Sequence, residues 1–104
     1  MILRAVTVNV EAAHMDVDGR IHGHSYTVEC WTASEVDLSQ FQRDMRALAA
    51  NIDHTKLESS VGDPSMEAMA KWFADRASLD RVVVRRPTLG CIVDYVRVGN
   101  AARL

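Results

Sequence analysis

The sequence is poor in the features that mark membrane, secreted or nucleic-acid-binding proteins. Its two cysteines, Cys30 and Cys91, are too few and too far apart for a disulfide framework. Its apolar runs are only a few residues long, whereas a transmembrane helix needs roughly 20 residues. The 12 basic and 14 acidic side chains are mixed along the chain and form no basic patch, and the N-terminus lacks the pattern of a secretion signal. We therefore expect a soluble, cytoplasmic protein with reduced thiols that binds neither nucleic acid nor membranes.

A single domain spanning residues 1–104 is expected, because the chain is too short for two hydrophobic cores and contains no linker, repeat or low-complexity tract. It begins with two strands. Apolar and polar residues alternate over about residues 2–13 and again over about residues 21–33, with a turn containing Gly19 between them. These two patterns predict an antiparallel hairpin.

The middle of the chain changes to a helical period. Apolar residues recur at steps of three and four from a cap at Asp37 or Ser39 to about residues 53–54, which predicts an amphipathic helix. Residues 55–62 are polar and are predicted to form a loop. A second amphipathic helix is predicted after residues 63–65, which supply an N-cap and a proline for the first turn.

Two further strands are predicted near the end of the sequence, over about residues 80–86 and 91–98. Residues 87–90 contain a proline and a glycine and are predicted to form the turn between them. The resulting order is β-β-α-α-β-β. It predicts an α+β fold in which both helices pack on one face of an antiparallel four-stranded sheet.

Three of the four histidines lie close together in the predicted hairpin. His22 and His24 are two residues apart and point to one face of the second strand, and His14 shares that face by parity. A single strand histidine commonly bonds a carbonyl group or faces solvent. Three imidazoles that converge across one turn are instead typical of zinc with an open fourth position, as in catalytic sites. The sequence therefore predicts a metal site here.

The fourth histidine directly follows an aspartate, as Asp53-His54, just past the first predicted helix. A histidine at the end of a helix often bonds the free carbonyl groups there. In a general acid/base pair, the carboxylate orients the imidazole and stabilises its charged form. The dipeptide alone leaves both interpretations open.

Together these motifs resemble the signature of the 6-pyruvoyltetrahydropterin synthase family, which includes the 6-carboxytetrahydropterin synthase of queuosine biosynthesis. The resemblance runs in order through residues 10–14, 18–26, 52–57, 63–67 and 88–92. It implies the tunnelling fold, in which antiparallel sheets of several subunits close into an oligomeric barrel with the helices outside. A homo-oligomer, either a trimer or a dimer of trimers, is the expected assembly.

The resemblance also implies a role for each residue of the site. His14, His22 and His24 match the ligands of a catalytic Zn, which acts as a Lewis acid on the substrate's side-chain hydroxyls. Asp53 and His54 match the pair that transfers protons. The implied substrate is a small pterin, 7,8-dihydroneopterin triphosphate, and the reaction eliminates triphosphate and rearranges the side chain.

Two positions depart from the family pattern. Asp18 stands where family members usually have a cysteine base, so a carboxylate takes the catalytic position here. Arg85 or Arg86 stands where a glutamate is expected to bind the pterin edge. Since an arginine can only donate hydrogen bonds, it favours a phosphate or carboxylate group instead. Glu67, Glu29 or an acidic group from a neighbouring subunit is then the candidate for binding the pterin edge.

Three functions remain open on these grounds. The first is a zinc-dependent pterin lyase of the 6-carboxytetrahydropterin synthase type. The second is a diverged homologue that binds another ligand or forms 6-hydroxymethyl-dihydropterin. The third is a metal-stabilised oligomer without catalytic activity.

Overall fold

Alternating side chains along four strands build the sheet of this protein, for which a computed structural model describes residues 1–97. The elements, in chain order, are β1 (Arg4–Met15), β2 (Ile21–Thr32), α1 (Leu38–Ala49), α2 (Leu57–Ser60), α3 (Met66–Ala77), β3 (Arg81–Arg86) and β4 (Cys91–Val96). The strands lie in the order β1-β2-β3-β4, and each pair is antiparallel. The predicted α+β architecture is therefore confirmed.

One face of the sheet carries the hydrophobic core. Alternate residues of the strands, such as Val10, Val28 and Val84, are fully buried on this face. Helix α1 packs mainly on β1, and α3 packs mainly on β3 and β4. Cys30 lies in this core, and burial raises the pKa of its thiol to about 12, so it is an inert apolar residue. We call the opposite surface, which includes Arg81 and Arg85, the open face.

The structure differs from the predicted elements at several boundaries. The first helix ends at Ala49 rather than near residues 53–54, and turns follow it. Residues 55–62 are not all loop, because α2 forms one short turn of helix that buries Leu57. Strand β1 extends two residues beyond the prediction to Met15. The predicted end of the last strand at Val98 lies outside the described residues.

The helix caps are mostly as the sequence indicates. Asp37, rather than Ser39, caps α1 by accepting a hydrogen bond from the backbone of Gln40. The cap of α3 is Ser65, and Pro64 precedes it instead of lying in the first turn. Residues 63–65 therefore supply the N-cap of α3, as predicted, but no proline in its first turn.

The Ser65 cap gives a test of this fold. Its hydroxyl accepts a hydrogen bond of 3.1 Å from the backbone N–H of Ala68. We expect Ser65→Ala to lower the free energy of unfolding by about 1 kcal/mol, since a backbone donor loses its partner. Urea denaturation measures this, with Ser59→Ala as the control because Ser59 is exposed and its hydroxyl bonds to no described residue. Equal effects in the two variants would contradict the assignment of the cap.

The two edges of the sheet differ in whether their backbone groups are hydrogen-bonded. The segment after α1 covers the last part of the outer edge of β1: Asp53 accepts a hydrogen bond from the Glu11 N–H at 2.8 Å, and Ala13 N–H donates to the Thr55 carbonyl at 2.9 Å. Farther along β1, the Met15 N–H donates to the Glu58 carboxylate. No strand within residues 1–97 pairs with the outer edge of β4. No helix in that part of the chain is long and apolar enough to span a membrane.

Candidate metal and catalytic site

The hairpin brings the three predicted metal ligands together at its turn end. His14 pairs directly with His22 in the register of β1 and β2, and His24 pairs with Ala12. The ring centroids of His14 and His24 are 4.7 Å apart, and the His22 ring lies 6.5 and 6.4 Å from these two. The cluster follows from parity and antiparallel register, as the sequence predicts.

The nitrogen atoms of this cluster contact one another and a nearby carboxylate. His14 Nε2 and His24 Nε2 lie 2.8 Å apart, while His22 Nε2 bonds to the Asp16 carboxylate. Within residues 1–97, no three His, Cys, Asp or Glu side chains are already arranged to hold a metal ion. Ligand nitrogens of one tetrahedral zinc lie about 3.3 Å apart. The donors fit zinc once His22 turns from Asp16 and the other two rings separate by roughly half an ångström.

Asp16 shapes the turn between β1 and β2. Its carboxylate accepts hydrogen bonds from the backbone N–H groups of Asp18 and Arg20, at 2.9 and 3.0 Å. The Arg20 N–H in particular holds the pKa of Asp16 below its usual value. The predicted catalytic residue Asp18 is exposed on this turn, and its side chain bonds to no described residue. Asp16 is therefore the turn carboxylate that contacts the histidine cluster.

The Asp53-His54 pair is built into the edge of β1. Asp53 Oδ1 accepts from the Glu11 N–H, and its Oδ2 accepts from His54 Nδ1 at 2.9 Å. The Glu11 N–H is the main reason why the pKa of Asp53 lies below its usual value. His54 has a φ of 58°, in the left-handed region that few non-glycine residues adopt. An ionised carboxylate thus fixes the imidazole and leaves its Nε2 free.

One cavity joins the two predicted groups. It has a volume of about 380 Å³, and its lining includes His24 from the cluster and His54 from the Asp–His pair. Glu11 and Lys56 line the same cavity. Another cavity, of about 480 Å³ between α1 and the end of α3, contains none of the predicted site residues. The smaller cavity is therefore the candidate active site.

The two arginines at the end of β3 point to opposite faces of the sheet. Arg85 lies on the open face in an ion pair with Glu29, whose other oxygen accepts from Trp31 Nε1 at 3.1 Å. Arg86 lies on the helix side, with Nη2 2.8 Å from His24 Nδ1. Burial, followed by the charge of Arg86, lowers the pKa of His24. Only Arg86 therefore belongs to the histidine site.

Glu67 and Glu29 differ as candidates for binding a pterin edge. Both carboxylate oxygens of Glu29 already accept hydrogen bonds, from Arg85 and Trp31. Glu67 is exposed in the first turn of α3 and bonds to no described residue. Glu67 therefore keeps its full acceptor capacity, whereas Glu29 has already used a lone pair on each oxygen.

Comparison with known proteins places this arrangement in a family. The family model described as 6-pyruvoyl tetrahydropterin synthase matches residues 6–98, a stretch that contains every residue of the candidate site. The chain belongs to the 6-pyruvoyl tetrahydropterin synthase family. Its structure is similar to that of the Caenorhabditis elegans 6-pyruvoyl tetrahydropterin synthase, with a TM-score of 0.74 and 16% identity over 92% of this chain and 95% of that one. No curated protein matches the chain.

The family and its tunnelling fold, both predicted from the motifs, are therefore confirmed. At 16% identity the structural similarity concerns the fold alone. The roles of individual residues are consequently argued from this chain's own geometry.

Two acidic residues near the histidines were missed by the sequence patterns. Asp16 contacts His22, and Glu58 accepts from the Met15 N–H at 2.7 Å, which is the main reason why the pKa of Glu58 is lowered. The other oxygen of Glu58 is buried without a hydrogen-bond partner. Glu58 lies in the single turn of α2, 43 residues from Met15, and no periodic pattern in the sequence connects the two. Asp16 had a signal, since it begins the turn between two of the histidines.

Proposed function

We propose that this family member is a zinc-dependent pterin lyase that converts 7,8-dihydroneopterin triphosphate, with loss of triphosphate and rearrangement of the side chain. This is the reaction type of 6-carboxytetrahydropterin synthase in queuosine biosynthesis. The observation that carries the proposal is the shared cavity, where a histidine of a metal-type cluster and a histidine oriented by a carboxylate line one space. A metal-assisted proton transfer needs these two groups on the same substrate.

His14, His22 and His24 are the proposed ligands of the metal, which supplies Lewis acidity to the oxygen atoms of the substrate's side chain when bound. Asp53 keeps the His54 ring in one orientation, with the Nδ1 proton directed at the carboxylate. The free Nε2 then takes or returns a proton of the substrate. Asp18 is the proposed second proton carrier, in the sequence position of the family cysteine.

Positive charge around the cavity suits an anionic substrate. Lys56 lines the cavity and Arg86 contacts its lining residue His24, so both cations are available to a phosphate group. Arg85 is already paired with Glu29 on the open face, which makes it a weaker candidate. The unengaged carboxylate of Glu67 is the proposed acceptor for the donors of the pterin edge.

We propose a homo-oligomer, either a trimer or a dimer of trimers, as the working assembly. The open face is not covered by the helices, and its Ile92 is 60% exposed. The edge of β4 is unpaired within the described residues, whereas the edge of β1 is hydrogen-bonded at Glu11, Ala13 and Met15. A second copy of the chain would extend the sheet and cover an apolar residue.

A diverged activity is the second candidate, and the arginines favour it. A family glutamate is expected where Arg85 or Arg86 stands, and Glu29, the nearest acidic side chain to Arg85, has both oxygens engaged. Formation of 6-hydroxymethyl-dihydropterin, or binding of an anionic ligand without a pterin, is compatible with this change. A metal-stabilised oligomer without activity is the third possibility that the test must separate.

The test is metal analysis of the purified protein, followed by an assay with 7,8-dihydroneopterin triphosphate before and after chelation. We expect about one Zn²⁺ per chain, release of triphosphate, and loss of turnover on chelation that added Zn²⁺ restores. Identification of the pterin product by mass spectrometry separates the carboxytetrahydropterin from 6-hydroxymethyl-dihydropterin. Bound metal without turnover, together with an oligomer that dissociates on chelation, would refute the enzymatic proposal.

A further inference from the structure

The hairpin that carries the three histidines extends beyond the rest of the sheet. Strand β3 pairs with β2 only from Thr27 to Trp31, so residues 11–25 of the hairpin have no third strand beside them within the described part of the chain. We call this stretch the histidine arm. A hairpin of two strands is at best marginally stable on its own in water, so the arm depends on contacts with other segments to keep its position.

The histidine arm is fastened along the outer edge of β1. Alternate N–H groups of an edge strand point outward together, and three of them donate to the segment that contains α2. The distances are 2.7 to 2.9 Å, and the pairs are Glu11 with Asp53, Ala13 with Thr55, and Met15 with Glu58. The bond from Met15 to Glu58 is the last of the three, nearest to the turn of the hairpin.

Glu58 therefore makes the bond that lies beside the histidine cluster. Met15 directly follows His14, which pairs with His22 in the register of the hairpin. The distance from Met15 N to Glu58 Oε2 is 2.7 Å, and this N–H is the main reason why the pKa of Glu58 lies below its usual value. A hydrogen bond to an ionised carboxylate is roughly twice as strong as one between neutral groups. The end of β1 is thus held by a charge-assisted bond.

Side-chain packing contributes little at this end of the histidine arm. Met15 and its partner across the hairpin, Ile21, are 41% and 63% exposed. Asp16 orders the turn by accepting from the backbone of Asp18 and Arg20, but these bonds lie within the turn and do not attach it to the helices. The bond to Glu58 is therefore the main tie between the end of β1 and the helical part of the fold.

We propose that Glu58 is a positioning residue: by holding Met15 it fixes the end of β1, so that His14 stays within reach of the metal ion that it shares with the other two histidines. This inference rests on the proposed metal centre. Groups that orient a metal ligand from outside the coordination sphere typically change metal affinity about 10- to 100-fold when they are removed. The hydrogen bond, rather than the charge of Glu58, carries the role.

The first experiment measures Zn²⁺ affinity by competition with a chromophoric chelator, for the parent protein and three variants. We expect Glu58→Ala to bind Zn²⁺ about 10- to 100-fold more weakly, because the Met15 N–H loses its acceptor. Glu58→Gln should stay within about threefold of the parent, since its amide oxygen can accept the same bond. Glu58→Asp keeps the charge but is one methylene group shorter, so it should resemble Glu58→Ala.

The second experiment follows amide hydrogen exchange by NMR in the metal-free proteins, which tests the position of β1 without zinc. The Met15 N–H should exchange about 10- to 100-fold faster in Glu58→Ala and Glu58→Asp than in the parent, and at nearly the parent rate in Glu58→Gln. The Ala13 N–H is the internal reference, because it donates to the Thr55 carbonyl instead. Its exchange rate should change less than that of Met15.

The matched control for both experiments is Ser59→Ala, which should equal the parent because the exposed Ser59 hydroxyl bonds to no described residue. Far-UV circular dichroism and thermal denaturation verify that each variant is folded. If Glu58→Ala does not fold, Glu58→Asp and Glu58→Gln still separate the hydrogen bond from the charge.

Parent Zn²⁺ affinity in the folded Glu58→Ala or Glu58→Asp variant would overturn the positioning role while leaving the metal centre intact. Equal losses of affinity in Glu58→Gln and Glu58→Ala would also overturn it, because the charge of the carboxylate would then act on the metal. Absence of Zn²⁺ binding in the parent would refute the metal centre itself, and this inference with it.

Discussion

Replacing His22 by alanine is expected to weaken Zn²⁺ binding by about 10²–10³-fold, because the change removes one of three protein ligands. Turnover of 7,8-dihydroneopterin triphosphate should fall with it at limiting zinc. His22 is the most informative of the three ligands. Its side chain is 47% exposed and hydrogen-bonds only to Asp16, so the fold should survive the substitution.

Chelator competition and metal analysis after dialysis measure this effect. The matched control is Val17→Ala, in the same turn, because the Val17 side chain is fully exposed and lies outside the proposed site. Its Zn²⁺ affinity should equal that of the parent protein. If His22→Ala retains the parent affinity while remaining folded, His22 is not a ligand, and its contact with Asp16 is its role.

The sequence predicted the candidate site best where its residues lie on one face of a strand, as the three histidines do. One residue separates His22 from His24, and His14 pairs with His22, so the three side chains share a face once the hairpin forms in this register. The same rule could not decide between Arg85 and Arg86 from the sequence alone. A shift of one residue exchanges the faces, and only the observed register of β2 and β3 places Arg86 beside His24.

Contacts between distant segments were beyond such patterns. Helix α2 is one turn long and too short to show a period, so the residues around it were predicted to be loop. This segment places Glu58 against Met15 and Thr55 against Ala13, and it covers the last part of the edge of β1. The cavity between His24 and His54 exists because of that packing. The histidine cluster and the Asp–His pair could each be predicted from the sequence, but the cavity that both line could not.

Substitutions in the Asp53–His54 pair are expected to have the second large effect, on kcat. We expect His54→Ala and Asp53→Asn each to lower kcat by about 10²–10⁴-fold while leaving Zn²⁺ affinity unchanged. His54→Ala removes the free Nε2. Asp53→Asn keeps an oxygen for the Glu11 N–H, but its amide group takes the place of the acceptor for His54 Nδ1–H and favours the wrong tautomer.

Steady-state kinetics on zinc-loaded protein, with Zn²⁺ affinity measured in parallel, separate proton transfer from metal binding. Ser59→Ala is the control, because Ser59 is exposed nearby and its hydroxyl bonds to no described residue. The φ of 58° at His54 is strained, and a fold retains such a conformation only where its contacts enforce it. Here the contacts are those of Asp53 and the backbone of Glu11. If kcat in both variants stayed within about threefold of the parent while the protein remained active, the Asp53–His54 contact would be only structural, and proton transfer would have to come from another group.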